Sequence, residues 1–361
     1  MSQNFPKYIL VSDYLRKSIL DNTFAPGDKI MSESQICEQF EVSRQTARQA
    51  ISVLENEKLL VKKRGSGTFV RKIDVDKNAK KNIAILTTYI DDYIFPSILT
   101  GMQNILDKYK YQMTICLTQN SISKERQQLL SLLKLGIDGL IVEGTKTALP
   151  SPNLDIYREL NSRGIPIVFI NAYHQNINAN YIINNDVEGG RLCIQHLLKN
   201  GHTKIGGIFK HDDSQGHMRY KGFVSEMAKN NIKIDDNAIL WYDTQNLDYL
   251  FEKSNMPHII SRLKDYTAVV TYNDHLALRF INALKKYGIS VPKDISLISF
   301  DNSNIAKLEN YSLTSITHPG QEISHLATNS IITMMKDPQH KIQHVYNPKL
   351  IIRNSVIPNK L

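Results

Sequence analysis

The sequence predicts an α/β chain in two parts, a small basic N-terminal module of three helices and a hairpin, then a large two-lobed body with parallel sheets. Three observations carry this. The first 70 or so residues hold three amphipathic helical patterns and a glycine-tipped hairpin. Beyond residue 82, short β-rich runs alternate with helical stretches, the pattern of parallel strands covered on both faces. That stretch of 280 residues exceeds one comfortable core, so two lobes are expected.

In the first module, Val11, Leu15 and Ile19 share one face of a helix that the turn Ala25-Pro26-Gly27-Asp28 closes. The second helix begins at Ser32-Glu33-Ser34-Gln35, a capping-box pattern that satisfies free amide donors, and turns Ile36 and Phe40 inward. Ser43 can cap a third helix. Its Ala47, Ala50, Ile51 and Leu54 fall at offsets i, i+3, i+4 and i+7, a narrow core-facing stripe. Arg44, Gln45 and Arg48 lie on its other faces. Arg can pair with guanine and Gln with adenine in a DNA major groove, read from the start of the second helix of a helix-turn-helix. The runs Leu59-Leu60-Val61 and Thr68-Phe69-Val70 then flank Lys62-Lys63-Arg64-Gly65-Ser66-Gly67, a hairpin whose three adjacent cations suit phosphates.

Residues 72–81, KIDVDKNAKK, are polar and without periodicity, which predicts a linker. The domain boundaries expected are therefore 1–71, 72–81 and 82–361. In the body the strand candidates are Ile83–Thr88, Gln112–Leu117, Gly139–Val142, Ile167–Ile170, Lys204–Phe209, Ala268–Thr271 and Ser296–Phe300. Helical patterns over Ser97–Tyr109, Ser123–Leu135, Val187–Lys199 and Leu276–Tyr287 lie between them. Five strands run into polar groups: Glu143, Asn171, Lys210, Asn273-Asp274 and Asp301. Open parallel sheets bind ligands just past these strand ends. Asn and Asp there also cap helices, which accounts for some of them equally well. Carboxylates, amides and an Arg converging on one place suit a polyhydroxylated ligand, because each hydroxyl both donates and accepts. Tyr89, Tyr93 and Phe95 could supply ring faces.

Composition narrows the function classes. Hydrophobic residues are 42% and charged residues 22%, an ordinary globular balance. No stretch approaches the ~18 apolar residues of a membrane span, and Asp13 and Arg16 interrupt the start where a signal peptide needs an apolar run. A cytoplasmic protein with no membrane partner is expected. Cys37, Cys116 and Cys193 are far apart and form no CxxC pair, against a disulfide framework or zinc knuckle. The net charge is +9, and residues 1–81 hold 15 Lys+Arg against 10 Asp+Glu, more than half of the excess in under a quarter of the chain. A polyanionic partner for that end follows, although on charge alone a solvated basic surface explains it as well. No nucleophile elbow, P-loop, HExxH or placed dinucleotide fingerprint occurs, so no enzyme and no cofactor are expected. His211 and His217 bracket Asp212-Asp213, but a surface loop explains them better than a metal site.

The run SESQICEQFEVSRQTARQAISVLENEKLLVKKRGSGTFV resembles the winged helix-turn-helix of the GntR family of bacterial transcription regulators. The resemblance implies base reading by Arg44, Gln45, Thr46 and Arg48, with Glu33 as a further contact. Lys62 and Lys63 would meet phosphate, and Arg64 and Gly65 would form the wing tip. Residues 82–361 resemble the sugar-binding core of the LacI/GalR regulators, which is built like periplasmic binding proteins. The motifs are DGLIVE (138–143), DVEGGRLCIQHLLKNGHTKIGGI (186–208), RYKGF (219–223), YNDHLALRFINALKKYGISVPKDISLISFDNS (272–303) and LTSITHPGQEIS (313–324). That resemblance implies sugar contacts by Glu143, Asn171, Arg219, Asn273, Asp274, Asp301 and His318, with Tyr93, Lys146 and Gln215 chosen for their loops. A GntR head on a LacI-type body is similar to the arabinose-operon repressors of Gram-positive bacteria. The function implied is a homodimeric transcription repressor of sugar uptake and breakdown genes that binds double-stranded operator DNA and responds to a small sugar, L-arabinose. Another pentose, a hexose or a sugar phosphate is the alternative, and an enzyme acting on a carbohydrate a distant one. The hinge helix of the LacI regulators is missing from 72–81, so another route must couple the sugar to DNA.

Overall fold

The computed structural model describes residues 6–21, 23–57, 59–63, 65–71, 81–90 and 94–359. The chain divides into two compact units, Met1–Ala79 and Lys80–Leu361. Arg64, Tyr93 and residues 72–80 of the expected linker lie outside the described residues.

The first unit contains α1 (Lys7–Leu20), α2 (Glu33–Phe40), α3 (Arg44–Asn56) and the strands β1 (Leu60–Lys63) and β2 (Gly67–Val70). The capping box at Ser32 forms as its sequence requires. The Gln35 amide donates to Ser32 Oγ at 3.3 Å, and the Ser32 amide donates to Gln35 Oε1 at 2.9 Å. Glu41, in the left-handed region at φ 49°, ends α2, and Ser43 Oγ accepts from the Thr46 amide to start α3. The strands pair antiparallel from Leu60 opposite Val70 to Lys63 opposite Gly67, and Lys29 bridges to Phe69 on the far side. Gly67 has φ 120°, and a Cβ there would lie 2.5 Å from Lys29 Cε, so this turn position needs glycine. All four residues of the α3 stripe are buried, packed with Val11, Leu15, Ile30, Ile36, Leu60 and Val70.

The second unit has two lobes. The first is built from β3 (Asn82–Thr87), α4 (Phe95–Lys108), β4 (Gln112–Leu117), α5 (Ile122–Leu135), β5 (Gly139–Val142), α6 (Leu154–Ser162), β6 (Ile167–Ile170) and β7 (Asn180–Asn184). The chain then enters the second lobe through α7 (Asp186–Lys199), β8 (Ile205–Lys210), α8 (Ser214–Lys229), β9 (Ile239–Tyr242), α9 (Leu247–Leu250) and α10 (Met256–Leu263). That lobe continues with β10 (Ala268–Thr271), α11 (Asp274–Lys285), β11 (Ser296–Asp301) and β12 (Thr314–Thr317). The helix α12 (Gly320–Met334) and β13 (Gln343–Tyr346) return to the first lobe, and β14 (Leu350–Ile351) goes back to the second. The first sheet, in order β13-β7-β6-β5-β3-β4, is parallel throughout. The second, β14-β12-β11-β10-β8-β9, is parallel except for its edge strand β14. Each sheet has an apolar core on both faces, as the near-continuous apolar strands demand.

All seven expected strands form within one residue of the expected ends. Five more strands, β7, β9, β12, β13 and β14, join them. α7 and α8 pack so closely that a Cβ on Gly222 would lie 2.0 Å from the Val187 carbonyl oxygen. That contact explains the glycine three residues after Arg219, and it fixes the helix from which Arg219 points.

Candidate functional site

A cleft of ≈ 360 Å³ opens between the two lobes, past the carboxyl ends of their strands. All five expected strand exits reach its wall through Glu143, Asn171, Lys210, Asn273 and Asp301. Gln215, Arg219 and His318 join them.

Arg219 is the centre of this wall. It is 2% exposed, with Nε 2.8 Å from Asp186 Oδ1 and one terminal nitrogen 3.3 Å from Asp301 Oδ1. Its other terminal nitrogen donates to the Tyr272 carbonyl. The guanidinium lies between two rings, 4.7 Å from the centroid of Tyr272 and 4.5 Å from that of Phe300. Burial alone would weaken the positive charge, but Asp186 and Asp301 outweigh it and hold the group protonated. Gln215 also donates to Asp186, at 3.3 Å.

Other wall groups are held as firmly. Glu143 Oε2 accepts from the Thr87 and Thr88 hydroxyls and the Thr88 amide at 2.6–2.9 Å, while burial pushes its carboxyl above the usual range. His318 Nε2 sits 3.0 Å from Asn171 Oδ1, and burial lowers the imidazole pKa, so it is neutral at pH 7. Asn171 and Asp301 take positive φ of 64° and 94°, backbone strain of the kind found at functional sites. Asn273 lines the cleft and also caps α11, accepting from the Leu276 amide.

Two expected contacts stand elsewhere. Asp274 is fully buried behind the wall, where its carboxylate accepts from the Ser303 amide and hydroxyl and from Ser315 Oγ. It braces the loop after β11 rather than facing the cleft. Lys146 is not part of the wall, because its ammonium turns toward Asp212, 3.7 Å away. Conversely Asp213, Tyr242, Asp248, Tyr272 and Arg279 line the cleft without having been singled out as contacts. Asp213 caps α8, a helix not expected from the sequence, whereas Tyr272 directly follows the expected strand β10. Tyr242 ends β9, an unexpected strand, so nothing placed it. Asp213 accepts from the Tyr272 hydroxyl at 2.6 Å; burial would raise its pKa, but Lys210 and that hydroxyl prevail and hold it low. Among the described residues no cluster of three or more potential ligands could hold a metal ion, and His211 pairs instead with Asp243 at 3.3 Å.

The first unit presents a different kind of surface. Arg44, Gln45 and Arg48 are exposed at the start of α3, and Lys62, Lys63 and Gly65 on the hairpin are exposed too. Thr46 is half-buried, its hydroxyl 2.9 Å from Ser43 Oγ. Glu33 joins the two elements: Arg48 Nε donates to it at 2.8 Å, and Lys62 Nζ lies 3.4 Å away. These partners, Arg48 first, keep its carboxyl below the usual range.

A helix-turn-helix with a basic hairpin, carried on one chain with a two-lobed body and a polar cleft, defines an effector-binding transcription regulator. Residues 7–70 match the gntR family of bacterial regulatory proteins, and residues 194–356 match the periplasmic binding protein-like domain. The chain is 36% identical to the arabinose metabolism transcriptional repressor of Halalkalibacterium halodurans, over 98% of this chain and 97% of that one. It is also 36% identical to the repressor of the same name from Geobacillus stearothermophilus, over 98% of both. The body superposes on a periplasmic binding protein/LacI transcriptional regulator from Alkaliphilus metalliredigens, complexed with D-xylulofuranose, with a TM-score of 0.65 at 23% identity, covering 77% of this chain and all of that one. The chain belongs to the family of transcriptional repressors that join a GntR head to a LacI-type body, the family of the two arabinose metabolism repressors. Among the described residues no helix is long and apolar enough to cross a membrane.

Proposed function

We propose that the chain represses sugar uptake and breakdown genes in the cytoplasm, as a homodimer on a pseudo-palindromic operator, and releases that operator when L-arabinose closes the cleft. Residues 1–71 would be the reading head, 72–81 the linker and 82–361 the sensing and dimerising body. Arg44, Gln45 and Arg48 read base edges, with Thr46 and Glu33 beside them, while Lys62 and Lys63 neutralise phosphate. Sugar binding and operator release are linked through a coupling free energy of typically ~1–3 kcal/mol, about 5–150-fold in affinity.

The observation that carries the choice of a neutral sugar is the charge pairing of the cleft. Among the described wall residues each cation already faces a carboxylate. Arg219 meets Asp186 and Asp301, Lys210 lies 3.8 and 3.9 Å from Asp212 and Asp213, and Arg279 lies 3.0 Å from Asp248. A sugar phosphate would arrive as a further anion among these carboxylates, whereas hydroxyls can pair with acid, amide and guanidinium together. Asp213, Asp301, Glu143 and Asn273 accept or donate to hydroxyls, Arg219 donates, and Tyr89 and Phe95 offer ring faces. The names of the two relatives point to arabinose among neutral sugars.

Fluorescence anisotropy of a labelled palindromic operator at fixed salt, with protein titrated in with and without L-arabinose, tests this. A right-shifted curve with L-arabinose alone, and none with xylose, galactose or sugar phosphates, is expected. Binding that ignores L-arabinose would reject the effector, and binding no tighter than to random DNA would reject the operator or the head.

A further inference from the structure

Beside the cleft wall, a set of contacts that shares Lys210 and Thr244 with it, and reaches wall residue Asp213 through the Thr147 hydroxyl at 3.2 Å, ties the lobes together. Its pivot is Asp212, at the end of the β8 strand exit in the second lobe and 1% exposed. Asp212 Oδ2 accepts from Asn120 Nδ2 of the first lobe at 3.2 Å and from the Thr244 amide of its own lobe at 3.2 Å. Asn120 also donates to Thr244 Oγ1, and its Oδ1 accepts from the Lys146 amide at 2.8 Å. Lys146 Nζ approaches Asp212 at 3.7 Å from the first-lobe side, and Lys210 Nζ approaches at 3.8 Å from the second. Beside this, Thr147 of the first lobe shares its hydroxyl with Ser214 Oγ at 2.9 Å and accepts from the Ser214 amide at 3.0 Å.

A second observation marks the same place. Gln119, Asn120 and Lys146, on two different loops, all have positive φ, of 51°, 50° and 44°. Strained residues persist where the surrounding structure over-determines them; Asn120 and Lys146 are held to Asp212 of the opposite lobe, while Gln119 is held by Thr88 and Lys124 of its own. Lys210 then links this clasp to the cleft, since it lies between Asp212 in the clasp and Asp213 in the cleft wall.

We infer that Asn120, Lys146 and Thr147 clasp Asp212 and Ser214 across the lobes, favour the closed body and so set the sugar concentration at which the protein responds, without touching the sugar. This rests on the effector reading above. Affinity for a ligand that selects the closed form scales with the fraction already closed, so weakening the clasp lowers apparent affinity through population alone. Asn120, Lys146 and Thr147 act as positioning residues.

The test uses the full chain and two variants. Asn120→Asp sets a like charge against Asp212, and Thr147→Val removes the shared hydroxyl at nearly constant shape. Spin labels on Leu130→Cys and His258→Cys, in a Cys37→Ser background, report the distance between lobes without any ligand. Isothermal titration calorimetry follows L-arabinose binding. Asn120→Asp should widen the label distance and raise the apparent Kd for L-arabinose by about tenfold or more, with Thr147→Val smaller in the same direction. Operator affinity without sugar should rise in the same variants, because the open form they favour is the one that binds operator. Unchanged distances in both variants overturn the clasp, and so do widened distances with unchanged Kd. If the parent itself ignores L-arabinose, the effector reading fails on its own, and the label distances still decide the clasp.

Discussion

Arg48 in the head and Arg219 in the body each donate to carboxylates, yet the two pairs do opposite work. Arg48 is 66% exposed at the side chain, and its pair with Glu33 is a surface pair worth ~0–1 kcal/mol. Such a partner steers the guanidinium and gives it up cheaply to a base or a phosphate. Arg219 is buried between two rings with two carboxylates and a carbonyl. It cannot leave, so the cleft keeps its shape before a ligand arrives and little ordering cost falls on binding. The head holds charge ready for a partner that supplies the counter-charge. The body has already supplied its own.

Substitutions can break that contrast, and the largest effect is expected in the body. Arg219→Ala leaves Asp186 and Asp301 buried without a cation, which should destabilise the body by ~3–5 kcal/mol in urea unfolding and remove the sugar response. A variant as stable as the parent would show that this pair is no more structural than the one in the head. Asp274 gives the next effect. Burial, with Asp301 nearby, pushes its carboxyl up to about 6. The unfolded chain ionises it near ~3.9, so its contribution is complete below that pH and is lost as pH rises through about 6, a change of about 3 kcal/mol. Asp274→Asn keeps an acceptor for Ser303 and should flatten that part of the stability curve; a curve unchanged from the parent would reject the buried charge. The smallest effects belong to the head. Arg48→Ala should weaken operator binding by ~1–3 kcal/mol and relax specificity, whereas Lys62→Ala should weaken operator and random DNA alike and reduce the salt slope by ~0.9. Equal loss on both DNAs for Arg48→Ala would move it from base reading to phosphate.

Most of the head was legible because its signals are local. A capping box, a four-residue stripe and a glycine turn are each complete within about two turns of helix or one hairpin, and each forms where its residues stand. In the body, central strands such as Gly139–Val142 and Ile167–Ile170 are apolar throughout and declared themselves. The strands without an expectation lie at or near the sheet edges or are interrupted by polar residues. Gln343–Tyr346 alternates exposed and half-buried, and Asn180–Asn184 begins and ends in asparagine. Their pairing is decided by distant partners that local pattern does not contain. The same limit explains the site. Strand exits located Glu143, Asn171, Asn273 and Asp301, since position after a parallel strand fixes position in the cleft. It did not say which way a side chain turns at that exit. Asp274 follows Asn273 immediately, yet one faces the cleft and its neighbour braces a buried loop. Lys146 has positive φ, which sequence does not reveal, and its ammonium reaches Asp212.

The three passages of the chain between the lobes have a consequence for its synthesis. The edge strand β13 pairs with β7, Gln343 opposite Tyr181, and α12 covers the face made by β5, β6 and β7. The first lobe starts first, yet its closing helix and strand are made only after nearly all of the second lobe. While the second lobe is being made on the ribosome, Ile98, Met102 and Ile141 lack the cover of Ile323 and Ile331. That interval is when the nascent protein is most open to aggregation and to chaperone capture. A stop codon just after β12 would leave an intact head and a nearly whole second lobe, but a first lobe without the helix and strand that close it.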